Sequence, residues 1–156
     1  MSEIIYQETE LTDEILSLLI GFSKDWEDEA STYGYRTNTR EDIEGNRIFI
    51  ATKDSEVIAY LFGRQYHSEN MRSIMKEGTP FFEVEELYVI PSERGKGIGT
   101  GLFHHVESVL TEESYIVLST ANRNYKQIFH FYLEELDMSF WSARLYKKIN
   151  DDTIEV

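Results

Sequence analysis

The apolar positions change period along the chain, and each period predicts an element. Ile4-Ile5-Tyr6 is a short β-rich run and reads as a first strand. Ile15, Leu18, Leu19, Phe22 and Trp26 then recur at helical spacing, which predicts one amphipathic helix. Thr12 is placed to cap it, with Asp13 and Glu14 in a first turn where acids suit the helix dipole. Residues 27–39 are polar and aromatic, and Thr39 can cap a short helical turn that runs to Glu44 and closes at Gly45. Two continuous apolar runs follow, Arg47 to Thr52 and Val57 to Gly63. The intervening Lys53-Asp54-Ser55-Glu56 predicts a hairpin. Residues 64–80 are polar and long for a connection, and such loops are often functional. Phe81 to Ile90 reads as a fourth strand, Gly97 to about Leu110 as a helix, and Tyr115 to Ser119 as a fifth strand. Tyr125 to Leu136 reads as a last helix and Ser139 to Ile149 as a final extended segment. The order is β-α-(α)-β-β-β-α-β-α-β, with no repeat or linker, and it predicts a single mixed α/β domain over residues 1–156.

Charge narrows the partners. The chain has 29 acidic and 15 basic residues, a net of −14. That balance argues against a phosphate backbone or an anionic membrane as the main partner, while a cationic substrate would suit it. Residues 1–30 hold nine acids and one base, so −8 of the total lies at the start. There is no cysteine, which excludes thiolate metal sites and cysteine nucleophiles. His104 and His105 are neighbours that point to different helix faces, so no metal site is expected. The longest apolar run, Ile15 to Phe22, is too short to span a bilayer, and Met1-Ser2-Glu3 lacks a basic leader region. A cytoplasmic protein is the expectation.

Candidate chemistry concentrates in residues 82–102. The fourth strand changes phase there, since Phe82 and Val84 are apolar on even numbers and Leu87 and Val89 on odd. Side chains alternate faces, so a slip of one calls for an extra residue, and a β-bulge near Glu85-Glu86 would supply it. A fully buried strand without a bulge is the alternative. After the strand, Gly95, Gly97, Gly99 and Gly101 alternate into a helix start, with Arg94 and Lys96 beside them. Glycines let backbone approach a ligand, and helix-opening amides favour an anion. The spacing fits neither the P-loop nor the dinucleotide fingerprint.

Arg94-Gly95-Lys96-Gly97-Ile98-Gly99, an Arg-x-x-Gly-x-Gly turn after Leu87-Tyr88-Val89 and Pro91, resembles the acetyl-CoA-binding motif of the GNAT superfamily of N-acetyltransferases. Asn122 and Asn124 followed by Phe131-Tyr132-Leu133 resemble that family's late Asn…Phe-Tyr helix, and the element order resembles its whole fold. Two positions depart from it: Asp137 stands for a usual glycine and Ile128 for a small residue. The resemblance implies one mostly antiparallel mixed sheet with splayed central strands, flanked by helices. It implies acetyl-CoA as co-substrate, its arm paired along Leu87, Tyr88 and Val89. Its pyrophosphate would lie on the amides from Arg94 through Gly95, Lys96, Gly97, Ile98 and Gly99 to Thr100. Asn122 or Asn124 would approach the cofactor.

Tyr132 matches the tyrosine that often protonates the leaving thiolate. Acetyl transfer to an amine also needs a base. Glu86 is the first choice, Glu83 the next and Glu85 the third. In the family the segment after the first helix lines the acceptor site. That assigns Trp26, Glu27, Asp28 and Tyr33 to substrate, with Glu85 opposite. Carboxylates with aromatics suit a polyamine- or aminoglycoside-like amine. A protein or peptide amine, or a CoA-binding module without catalysis, stays open. Family members are often dimers, and Phe140-Trp141 could pack on a partner.

Overall fold

A computed structural model describes residues 2–150. Five strands form one sheet in the order β1-β2-β3-β4-β5: Ile4–Thr9, Arg47–Lys53, Glu56–His67, Pro80–Val89 and Tyr115–Val117. The first four pair antiparallel, and β5 pairs parallel to β4. Helix α1 (Asp13–Glu29) starts where the sequence places it, with Thr12 Oγ1 accepting from the Ile15 amide at 3.1 Å. The short α2 (Arg40–Ile43) is tied at its start by the Thr39 amide donating to Asp42 at 2.8 Å. On the opposite face lies α3 (Ile98–Val109).

The central strands are apolar on both faces because both faces are covered. Ile48, Ile50, Tyr60, Phe62 and Tyr88 bury against Leu16 and Leu19 of α1 and Ile43 of α2. Phe49, Leu61, Phe82 and Val84 bury against Ile98, Leu102, Phe103 and Val106 of α3, with Leu136.

The phase change in β4 is a bulge. Phe62 of β3 pairs with Glu86 and the next residue, Gly63, with Val84, which leaves Glu85 as the extra residue. Before it, Phe82 and Val84 face α3. After it, Leu87 and Val89 face α3, and Tyr88 faces α1. Gly63 is required opposite the bulge, since a Cβ there would lie less than 3.0 Å from the Glu83 carbonyl oxygen and the Phe82 ring.

Two expectations at the C-terminal side are corrected. The last helix is not regular: α4 covers Tyr125–Phe129 and passes into a π-helical turn, His130–Glu135. The expected final strand over 139–149 is absent, and no strand follows β5 among the described residues. A period-two pattern forms a strand only where an edge receives it. This segment meets none, and Leu145 and Ile149 are 94% and 90% exposed. In addition, β3 runs four residues further than expected, and β5 stops at Val117.

Candidate active site

Two strands that part company make the cleft. Strand β5 pairs with β4 only at Phe81, Phe82 and Glu83, and beyond that no ladder joins them. Val84 to Val89 are therefore bonded along one edge, to β3, while the other edge faces a cleft of about 820 Å³. At one end, Gly95 and Gly97 take φ of 76° and 80°, in the left-handed region that glycine enters without strain. They turn the chain into α3, whose first intrahelical bond is donated by the Gly101 amide to Gly97. The amides of Ile98, Gly99 and Thr100 thus have no partner within the helix.

The loop's two cations are both paired. Arg94 makes a bidentate bridge to Glu29 at 2.6 and 3.0 Å, and its Nε donates to the Val89 carbonyl at 2.8 Å. Lys96 pairs at 3.3 Å with Glu93, which also holds Lys53 at 2.7 Å. At this loop the free amides and the helix dipole favour an anion, while Arg94 turns its bidentate face to Glu29.

Beside the bulge sits Glu86. Its Oε1 accepts from Tyr60 Oη at 2.8 Å, Asn38 Nδ2 at 2.9 Å and Tyr35 Oη at 3.1 Å. No hydrogen bond to its Oε2 is found among the described residues. Burial raises the pKa of the Glu86 carboxyl, against the lowering by these three donors. Behind Tyr35, the buried Ser23 Oγ lies 2.6 Å from its hydroxyl and accepts from the Asn38 amide at 2.9 Å. The Trp26 ring stacks on Tyr35 at 4.3 Å. Tyr132 lines the cleft from the π-helical turn. Its hydroxyl makes no hydrogen bond among the described residues, and burial pushes its pKa up to about 12.

A strap borders the cleft. Residues 31–33 after α1 bridge to 121–123 after β5 through the Tyr33 amide to Ala121 O at 3.0 Å and the Arg123 amide to Ser31 O at 2.7 Å. Trp26 Nε1 anchors it through Thr32 Oγ1 at 3.1 Å, and the Arg123 guanidinium lies over the Tyr33 ring at 4.1 Å.

The residues assigned to cofactor from sequence line this one cleft, apart from Lys96. Glu85, Glu86, Trp26 and Tyr132 line it too; Glu83, Glu27, Asp28 and Tyr33 do not. Glu27 accepts from the Thr37 amide at 2.6 Å and from its hydroxyl at 2.7 Å, fixing the loop below. Asp28 faces solvent beside Lys24. Tyr33 lies in the strap, and Glu83 lies where β4 is still paired to β5. Glu29 and Tyr35 belong to the segment expected to line the acceptor site, whereas Ser23, Asn38 and Tyr60 were not singled out from sequence. One signal existed: Ser23 is a polar residue on the inward stripe of α1, between Leu19 and Trp26.

No protein of curated function matches the chain by sequence. Among solved structures, it is similar to a putative acetyl transferase from Pyrococcus furiosus, at 16% identity and TM-score 0.67, covering 94% of this chain and 100% of that one. It is similar to a possible acetyltransferase from Clostridium difficile 630, at 16% identity and TM-score 0.65, covering 94% and 97%. It is also similar to an aminoglycoside acetyltransferase from an uncultured soil metagenomic sample, at 13% identity and TM-score 0.64, covering 94% and 97%. Likenesses at such identity establish the fold. The model of the acetyltransferase (GNAT) family matches residues 12–138, a span that holds every element around the cleft from α1 to the π-helical turn, and on that ground the chain belongs to this family.

Proposed function

We propose that this protein moves the acetyl group of acetyl-CoA directly to a primary amine of a cationic small molecule, polyamine- or aminoglycoside-like in character. The observation that carries the reading is the cleft itself. An unpaired strand edge suits an amide-bearing arm, a glycine turn at a helix start suits a pyrophosphate, and a half-buried carboxylate stands at the bulge. These residues fit acetyl-CoA, and when bound it supplies an activated thioester.

Glu86 acts as the base. Its Oε2 takes a proton from the acceptor ammonium, directly or through a water, so that a neutral amine can attack the thioester carbonyl. The C–N bond forms, the C–S bond breaks and Tyr132 gives its proton to the departing sulfur; the second proton, shed by the nitrogen as the amide forms, returns to the tyrosinate through water. A hydroxyl with a pKa of about 12 keeps that proton at working pH. Ser23 and Tyr35 hold Glu86 in place through one chain of hydrogen bonds.

The cationic acceptor rests on Glu85 and Glu86 with the Trp26 and Tyr35 rings. Two of the similar structures are described as aminoglycoside acetyltransferases, which is in keeping with that class. The −8 of the first 30 residues supports it little. Glu8, Asp13 and Glu29 pair with Arg47, Arg40 and Arg94, and of those nine acids Glu29 alone lines the cleft.

A ligand that binds the folded state alone raises its melting temperature. CoA at about 100 times its Kd is expected to add about 2.7 kcal/mol of stability, an upward shift of several degrees. No shift with either CoA or acetyl-CoA would overturn this reading.

A further inference from the structure

Arg94 is the one Lys or Arg lining the cleft among the described residues, and each of its three guanidinium nitrogens is engaged. Nη1 and Nη2 meet both oxygens of Glu29, Nε holds the Val89 carbonyl, and the plane lies over the Tyr88 ring at 5.2 Å. Glu29 is the last residue of α1, which has no basic residue in its last turn. A carboxylate there faces the negative end of the helix dipole. Its position is explained by Arg94 and by the Tyr88 hydroxyl, which donates to it at 3.2 Å. The pair ties the acceptor-side helix to the opening of the glycine turn. It also occupies a carbonyl on the β4 stretch that β5 leaves unpaired.

We infer that Glu29 is a positioning residue that holds Arg94 in reserve. An anionic phosphate arriving at the glycine turn exchanges for Glu29 on the guanidinium, and Arg94 leaves the Val89 carbonyl free for an amide of the ligand's arm. The exchange breaks one ion pair and forms another, with no covalent step. Glu29 therefore weakens cofactor binding and sharpens the preference for a ligand that carries phosphates. The inference rests on the acetyl-CoA reading above.

The test is calorimetric titration of CoA, and of D-pantetheine as the phosphate-free probe, into the wild type, Glu29→Gln, Glu29→Ala, Arg94→Gln and the double variant Glu29→Gln/Arg94→Gln. Removing the carboxylate is expected to tighten CoA about fivefold, the scale of a partly exposed ion pair. The gain on pantetheine should stay below about twofold, and in the Arg94→Gln background the gain on CoA should vanish. Two neutral replacements guard against one that merely loosens α1. A merely structural role would move both probes alike. Unchanged or weaker CoA binding in both Glu29 variants, or a gain that survives without Arg94, overturns the exchange while leaving the acetyltransferase reading in place. Failure of the wild type to bind CoA overturns that reading and the exchange with it.

Discussion

Glu86 sets the residue scale. Three donors converge on one of its oxygens, and burial still leaves its pKa above the ordinary 4.5. A carboxyl whose pKa is higher in the folded than in the unfolded state favours the fold when protonated. Its contribution is complete below the unfolded value and is lost as pH rises through the higher folded one. At neutral pH the charged group therefore costs stability, as is common where function needs a buried charge. Glu86→Gln, which keeps an oxygen for the three donors, is expected to melt about 2 °C or more above the wild type at pH 7.5. That advantage should shrink as pH falls toward 4.5. A variant that melts below the wild type at pH 7.5 would contradict the cost. The surroundings of Glu86 were legible only in part. Its position beside a slip in periodicity could be read from residues 82–89, but its donors come from 35, 38 and 60, far away in sequence. Local pattern carries no signal for contacts of that range.

At the scale of elements, the bulge of β4 and the parting of β4 from β5 are what make a site out of a sheet. The bulge was legible because side-chain period is strict, and an extra residue must show as a change of phase. The glycine turn was legible because glycine recurs where backbone needs positive φ. The strap was not, since residues 31–33 and 121–123 lack strand periodicity and meet through a few backbone bonds. Nor was the π-helical turn, because residues 125–136 keep helical spacing while the hydrogen bonds change. Two glycines give opposite expectations. Gly63→Ala forces a methyl group against the Glu83 carbonyl and the Phe82 ring and should destabilise by about 1–3 kcal/mol. Gly21→Ala, in the interior of α1 with nothing within 4 Å, should stabilise by about 0.5–1 kcal/mol. Denaturant unfolding of the pair checks both. A Gly63→Ala variant as stable as the wild type would contradict the tight opposition at the bulge.

At the scale of the molecule, the charge of −14 serves less to aim a substrate than the sequence suggests. Acids on α1 pair with arginines or face solvent, while the carboxylates that matter to the cleft come from β4 and from the last residue of α1. Among the described residues no helix is long and apolar enough to cross a membrane. The layered order of strands and helices was legible from alternating runs of period two and 3.6. The end of the chain was not, because a strand pattern over 139–149 does not say which edge would receive it. What unites the scales is one cleft that offers backbone amides to the proposed anionic cofactor and a half-buried carboxylate to the proposed amine. The most direct measurement is CoA thiol release from acetyl-CoA with a panel of primary amines, polyamines and aminoglycosides included. Saturable release is expected with a cationic amine, reduced about 100-fold by Glu86→Gln and by Tyr132→Phe with CoA affinity kept within a few-fold. Tight CoA binding with no release on any amine, or release unchanged in both variants, would contradict the proposed transfer.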